Sequence, residues 1–289
     1  MDWTSPAPAK VNLFLTITGR RPDGYHNLVS LAAFTQFGDH LKISDDEADG
    51  LTFTGPFVAD LDSTKTDNLL LKTKVAVLAA GFSLPEHHIY LDKQIPISSG
   101  LGGGSSNVAA YLRCIADMMT LNQTERERLF AIGRQIGADV PVCLCPGYQL
   151  MTGTGTDVEQ VNVEDGPVFC VLSNPGVAVS TQAVFSALKS QAGSSEAASH
   201  LLTSPVKLVD MVTRGNDLYT PASEACPEIR TLLAEMGELS APDPFIGMAM
   251  SGSGASCFAL TYDEQAAERL SEQLKSAGFW AVSTQLISS

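Results

Sequence analysis

Basic residues are scarce in this chain. Lys and Arg number 18 against 32 Asp and Glu, a formal net charge of −14. Binding a nucleic-acid backbone needs basic patches, so nucleic acid is not an expected partner. An anionic membrane surface is disfavoured for the same reason, and the acidity reads as a solvated surface. No apolar run is long enough to span a bilayer. The opening Met1-Asp2-Trp3-Thr4-Ser5-Pro6 has neither the basic stretch nor the apolar core of a signal peptide, so a cytoplasmic location is expected. Cysteines are few and scattered, at 114, 143, 145, 170, 226 and 257. None forms Cys-x-x-Cys, which argues against a disulfide framework or a zinc site and for reduced, mostly buried thiols. Cys143 and Cys145 read as two small strand residues. His87 and His88 are adjacent, so on a strand they point to opposite faces and do not chelate together. His40 and His200 have no chemical context.

Against these absences stands one dense stretch, Ile95-Pro96-Ile97-Ser98-Ser99-Gly100-Leu101-Gly102-Gly103-Gly104-Ser105-Ser106-Asn107. An apolar strand (Ile89 to Leu91) precedes it, and a helical pattern (Val108, Ala109, Leu112, Ile115, Ala116) follows. Glycines let backbone N–H groups approach an anion without a Cβ clash. The first N–H groups of a helix lack intrahelical partners, and its dipole favours negative charge there. Ser105 and Ser106 add hydroxyls that can reach a phosphate or a magnesium ion. No Gly-Lys-Ser/Thr follows, so this is not a Walker loop. Counting from Gly100, Ser105 stands where the dinucleotide fingerprint has its third glycine. The bland reading is a flexible loop or a plain helix cap.

The 289 residues suffice for one large or two moderate domains, and 44% are hydrophobic. Between Pro6 and Ile17, Val11, Leu13, Leu15 and Ile17 alternate with Lys10, Asn12, Phe14 and Thr16, the pattern of a strand with one apolar face. Lys10 and Asn12 then share the opposite face, suited to an anion or simply solvated. Pro22-Asp23-Gly24 is a turn, followed by Tyr25 and His26, whose rings could hold a base. Further strands are expected over residues 28–37, 39–43, 51–53 and 169–172. A helix is expected from Thr66-Asp67-Asn68 to Ala80, with Thr66 or Asp67 as N-cap and Gly81 as stop. Helices are also expected over 121–136 and 265–277, and from Ser180-Thr181 through Phe185, with a last strand over 280–286. Residues 191–205, small and serine-rich, read as a surface loop. Asp139 lies in Gly137-Ala138-Asp139-Val140-Pro141, an apolar turn where a carboxylate must find donors, cap the next turn or be functional. A second glycine loop, Ser251-Gly252-Ser253-Gly254, precedes the strand-like Cys257 to Leu260. An α+β protein built for phosphate chemistry is the result. Lys10, Arg20, Arg21 and Lys93 lie near these motifs and could make an acidic protein locally positive.

The stretch from Pro96 to Ser106 resembles the phosphate loop of the GHMP small-molecule kinases, and the second glycine loop resembles their third motif. Pro8-Ala9-Lys10-Val11-Asn12-Leu13, Arg21-Pro22-Asp23-Gly24-Tyr25-His26, Asp67-Asn68-Leu69-Leu70 and Gly137-Ala138-Asp139-Val140-Pro141 resemble segments of the branch acting on a cytidylyl diphosphate. The resemblance implies a two-domain fold with the active site in the cleft. Residues 1–165 would form an N-terminal α/β domain with a left-handed crossover, and 166–289 a C-terminal ferredoxin-like domain. It implies ATP on Pro96, Ile97, Ser98, Ser99, Gly100, Leu101, Gly102, Gly103, Gly104, Ser105 and Ser106, with Asn68 at the adenine and Mg²⁺ travelling with ATP. The metal ligands stay open. Lys10 and Asp139 would be catalytic, and Asn12, Tyr25, His26, Thr181 and Phe185 would bind the substrate. The implied reaction phosphorylates the 2-hydroxyl of a cytidylyl diphosphate of a branched polyol, in isoprenoid precursor synthesis. The protein would be a monomer or homodimer, with no nucleic-acid or membrane partner. A GHMP kinase for mevalonate or homoserine, or a non-catalytic nucleotide-binding regulator, are the alternatives. Tyr25, His26 and Phe185 argue against the first, Lys10 and Asp139 against the second.

Overall fold

The computed structural model describes residues 1–60, 68–188 and 206–288. The expected N-caps Thr66 and Asp67, His200 and the serine-rich stretch 191–205 lie outside the described residues. The chain forms two compact units, each discontinuous in sequence. One comprises Met1–Ala9, Gly38–Ile97 and Gly102–Cys145; the other comprises Lys10–Phe37, Ser98–Leu101 and Pro146–Ser289. The expected boundary near residue 165 falls inside the second unit. Two long strands, β1 (Asp2–Arg20) and β2 (His26–Ser44), contribute residues to both.

The sequence suggested a break in β2 between Phe37 and Asp39, and none exists. Gly38 stays in the strand because the β1 backbone passes too close for a side chain. A Cβ there would lie 2.4 Å from the Ala7 carbonyl oxygen and 2.5 Å from Pro8 Cα.

In the first unit, β2 pairs antiparallel with β4 (His88–Asp92), Leu41 opposite Leu91. Strand β3 (Gly50–Thr54) pairs parallel with β4, and parallel neighbours need a crossover. Helix α1 (Leu69–Ala79) lies within it. Its N-cap is Asn68, whose side chain accepts from the Leu70 and Leu71 N–H groups. Gly81, at φ +86°, follows its end as expected. Helix α2 (Gly103–Met118) is mostly buried, with Val108, Leu112 and Ile115 in the core. Helix α3 (Gln123–Ile136) starts with a capping box between Asn122 and Glu125. The short α4 (Val140–Leu144) contains Cys143, so Cys143 is a buried helical residue and Cys145 an exposed C-cap, rather than two strand residues. No disulfide joins any of the six cysteines, and five are buried.

In the second unit, β2 pairs with β5 (Gln149–Thr152), and β5 with β6 (Asp157–Gln160) through the tight turn carrying Gly153 and Gly155. A four-stranded antiparallel sheet follows, in spatial order β10-β7-β9-β8. Its strands are β7 (Phe169–Asn174), β8 (Phe245–Met250), β9 (Cys257–Thr261) and β10 (Trp280–Gln285). Between β7 and β8 lie α5 (Thr181–Ser186), α6 (Leu208–Val212), α7 (Tyr219–Ala225) and α8 (Glu228–Ser240). Helix α9 (Glu264–Ser276) joins β9 to β10 and buries Ala266, Ala267, Leu270 and Leu274 at helical spacing. This βαββαβ order is the ferredoxin-like arrangement.

Candidate active site

Within the first unit, a buried ion pair braces the approach to the glycine-rich loop. Lys93 Nζ lies 2.6 Å from Asp39 Oδ2 and donates to the Ile95 carbonyl at 2.7 Å. The other Asp39 oxygen accepts from the Gln94 and Ile95 N–H groups at 2.7 and 2.8 Å. The Lys93 ammonium was expected to make the loop region positive; it is instead committed to this brace, and desolvation lowers its pKa against the pull of Asp39. Sequence patterning did not mark Asp39, which reads there as an ordinary strand-end acid.

The helical end of the loop begins at Gly102, the N-cap of α2, at φ +66° with no side-chain cap. Gly103 follows, where a Cβ would come 3.2 Å from Lys93 Nζ and 3.3 Å from Ile95 Cγ2. The first turn of α2 is thus uncapped by any side chain and lined by glycine, the condition for an anion to take its N–H groups. Ser106 Oγ is buried there without a hydrogen-bond partner. Asp139 is the N-cap residue of α4 and is half-buried, yet its side chain makes no capping bond. The structural-cap reading of this carboxylate therefore fails. Its segment lies beside the loop: a Cβ at Gly137 would come 3.5 Å from Ser105 Oγ. The first unit therefore brings together the loop lead-in, the α2 start and the Asp139 turn.

Within the second unit, Lys10 and Asn12 are 3% and 2% exposed, so the solvated-face reading of that strand is wrong. Alternation suggested one apolar face, but residues 7 to 15 are buried on both faces of β1. The Lys10 N–H donates to the Leu101 carbonyl at 2.9 Å, which sets the lysine's backbone against the loop. The Asn12 amide donates to Ser30 Oγ at 2.8 Å, while its Oδ1 is buried without a partner. Such an orphan acceptor is costly unless a ligand supplies a donor.

The second glycine loop docks on the same residues. Ser251 Oγ accepts from the Asn12 N–H at 3.2 Å and donates to the Gly100 carbonyl at 3.1 Å. The Ser256 N–H donates to the Ser99 carbonyl at 2.9 Å. Gly100 sits at φ +78°, and a Cβ there would meet the Gly254 and Ser251 carbonyls at 2.7 Å. Only glycine allows that approach. Ser98, a non-glycine residue, also occupies the left-handed region, at φ +51°.

Thr181, at the start of α5, hydrogen-bonds Ser253 of that loop at 2.8 Å. Four residues on, the Phe185 ring lies 5.7 Å from the His26 ring, tilted by 33°. Burial and the nearby Arg20 charge lower the His26 pKa, favouring a neutral imidazole. Tyr25 is 68% exposed beside this pair in sequence. One residue that sequence reading missed is Asn216, which donates to the Met250 and Gly252 carbonyls at 2.9 and 2.8 Å. Its only signal was its place in Gly215-Asn216-Asp217, a turn-like triplet.

A two-unit α+β fold carrying two glycine loops defines a class, and the comparisons agree. The model of the GHMP kinases N terminal domain matches residues 68–147, and that of the GHMP kinases C terminal domain matches 203–279. A homoserine kinase from Cytophaga hutchinsonii shares the fold, with TM-score 0.66 at 17% identity over 99% of this chain and 95% of that one. This is a GHMP kinase fold, and the chain is an ATP-dependent phosphotransferase of that class. The nearer comparisons are more specific. A 4-diphosphocytidyl-2-C-methyl-D-erythritol kinase of Granulibacter bethesdensis is 41% identical, covering 94% of this chain and 89% of the relative. The same-named enzyme of Methylobacterium radiotolerans is 39% identical, covering 97% of each. A crystal structure of a 4-(cytidine 5'-diphospho)-2C-methyl-D-erythritol kinase superposes with TM-score 0.77 at 30% identity, covering 99% and 100%. The chain belongs to the 4-diphosphocytidyl-2-C-methyl-D-erythritol kinase family.

Proposed function

We propose that this protein transfers the γ-phosphoryl group of ATP to the 2-hydroxyl of 4-diphosphocytidyl-2-C-methyl-D-erythritol. Near-full-length identity of about 40% to relatives named for that substrate carries the reading. The His26–Phe185 ring pair suits it, since aromatic rings offer a pyrimidine a surface to stack on.

Phosphoryl transfer depends mostly on positioning and electrostatics, so the chain needs few reactive groups. The N–H groups of Gly103 and its neighbours at the start of α2, with Ser105, would hold the ATP phosphates. Asp139 accepts or orients the proton of the attacking hydroxyl. Lys10 steadies that hydroxyl and the charge that develops on the transferred group. Asn12 offers its orphan oxygen to a substrate hydroxyl, while Tyr25, His26, Thr181 and Phe185 hold the cytidylyl end. Asn68 spends its Oδ1 on the α1 cap, which leaves its NH₂ for the adenine. Mg²⁺ fits this donor set as a companion of ATP: it keeps mostly phosphate and water ligands, and the unpartnered Ser106 hydroxyl would be a candidate protein oxygen to join them. When bound, it neutralises phosphate charge. The dependence on ATP suggests the cytoplasm, and a small-molecule acceptor requires no nucleic-acid partner; sedimentation would separate monomer from homodimer.

The test is coupled ADP release with ATP, Mg²⁺ and each of three acceptors: 4-diphosphocytidyl-2-C-methyl-D-erythritol, mevalonate and homoserine. Turnover only with the first is expected. Turnover with another would keep the phosphate loop and discard the cytidine pocket. Nucleotide binding with no turnover on any acceptor would point to a regulator.

A further inference from the structure

Asn216 lies outside every motif that suggested the active site, yet its whole side-chain amide is engaged. Its two N–H bonds go to the Met250 and Gly252 carbonyls, and its Oδ1 accepts from the Leu218 N–H at 2.9 Å. Met250 and Gly252 flank Ser251, so the amide grips the chain on both sides of one serine. That serine's hydroxyl joins the Asn12 N–H to the Gly100 carbonyl in the phosphate loop. The segment holding Asn216 is itself fastened to β1. Leu15 N–H donates to the Gly215 carbonyl at 3.1 Å, and the Asp217 N–H to the Leu15 carbonyl at 2.9 Å. The Asp217 carboxylate accepts from the Ile17 N–H at 2.7 Å. Asn216 is thereby fastened beside Leu15 of β1, the strand that carries Asn12 three residues earlier.

Gly100 makes this grip consequential. At φ +78° it packs so closely on the Ser251 and Gly254 carbonyls that a Cβ would meet both at 2.7 Å, while its neighbours Ser99 and Leu101 are held through their carbonyls by the Ser256 and Lys10 N–H groups. The Ser251 hydroxyl is what turns that close approach into a directed hydrogen bond. We propose that Asn216 is a positioning residue that sets the phosphate loop for nucleotide through Ser251. This deepens the reading of Pro96–Ser106 as the ATP phosphate site and rests on it. Asparagine fits the role because it supplies two donors and one acceptor on a short side chain; aspartate would keep the acceptor, lose both donors and face two carbonyls with a charge.

The experiment measures ADP affinity by calorimetry and melting temperature on the whole protein, for Asn216→Asp, Asn216→Ser, Ser251→Ala and the double variant Asn216→Ser/Ser251→Ala. The serine variant at 216 covers a failure of the aspartate variant to fold. Each single change is expected to weaken ADP by roughly tenfold, the equivalent of one buried hydrogen-bond network left incomplete. The double variant is expected to bind within about twofold of the weaker single variant, because both changes act through one hydroxyl. In turnover, KM for ATP rises while kcat at saturating ATP stays within about threefold. A lowered melting temperature with ADP affinity within twofold of the parent would make Asn216 merely structural and overturn the inference, as would effects that multiply. Gly104→Val, a change inside the loop itself, separates the two layers. Binding lost there but kept in both Asn216 variants overturns the Asn216 inference alone. Binding unchanged in Gly104→Val overturns the phosphate-loop reading and this inference with it.

Discussion

Lys93 and Asp39 form a buried ion pair at 2.6 Å, their side chains 5% and 0% exposed, directly before the phosphate loop. The pair does more than neutralise charge. Asp39 receives the backbone N–H groups of Gln94 and Ile95, so the two residues fix the chain that leads into Pro96. Removing one partner leaves a buried charge uncompensated, which costs about 3–5 kcal/mol. Lys93→Met is therefore expected to lose that much in urea unfolding and to weaken ADP binding as well. Unchanged unfolding would show that the pair is bystander to both.

Asp139→Asn is expected to cut turnover by at least ~100-fold, the low end for losing a general base, while ADP affinity stays near the parent value. The reason is local. Asp139 holds the N-cap position of α4 without capping it, so an amide there leaves the helix start unchanged. Steady-state turnover and calorimetry on the same sample separate the two effects. Near-parent turnover would remove Asp139 from the chemistry.

Phe185→Ala and His26→Ala should each raise KM for the cytidylyl substrate by about tenfold, since one lost base–ring stack is worth ~1–3 kcal/mol. KM for ATP should stay within about twofold, because the two rings contact each other and are assigned to the cytidylyl end. Tyr25→Ala should follow the same pattern. Tyr25 is exposed, so its loss costs the fold little and isolates its effect on substrate. Equal weakening of both substrates would undo the cytidine assignment.

Much of this architecture was legible along the chain, and the misses have physical causes. Ser180 caps α5 as its type predicts, and Gly81 stops α1 in the left-handed conformation expected of it. Gly38 read as a break because glycine usually ends a strand; only the close passage of Ala7 and Pro8 explains it within one. Lys10 and Asn12 read as a solvated face because alternation is a local signal, whereas their burial depends on what covers β1. Cys143 read as strand because five residues of α4 are too short for a helical period to show. The helix start was read one or two residues early: the N-cap is Asn68 and not Thr66 or Asp67, because all three residue types can cap and only the geometry of the first turn chooses between them. Asn216 left only the faint mark of a turn-like triplet, since its partners Met250 and Gly252 are 34 and 36 residues away.

His87 gives the fold a pH dependence whose sign can be worked out. The ring is fully buried, with Nδ1 2.7 Å from the Pro85 carbonyl and Nε2 2.7 Å from the Tyr111 hydroxyl. A carbonyl only accepts, so Nδ1 carries the proton, and Nε2 accepts from the tyrosine. Burial lowers the His87 pKa and the Lys74 charge adds to that, against the opposing pull of the Pro85 carbonyl and Asp49. In the unfolded chain a histidine titrates near ~6.5, so below that pH the unfolded state binds a proton that the native state refuses. The contribution of neutral His87 is therefore complete above ~6.5 and is lost progressively as pH falls toward the lower native value. Urea unfolding at pH 7.5, 6.5 and 5.5 should show stability falling with pH, and the fall should be shallower in His87→Gln, which cannot take up the proton in either state. Parallel profiles for the two proteins would mean that the ring accepts a proton in place, with the Tyr111 hydroxyl turning to receive it.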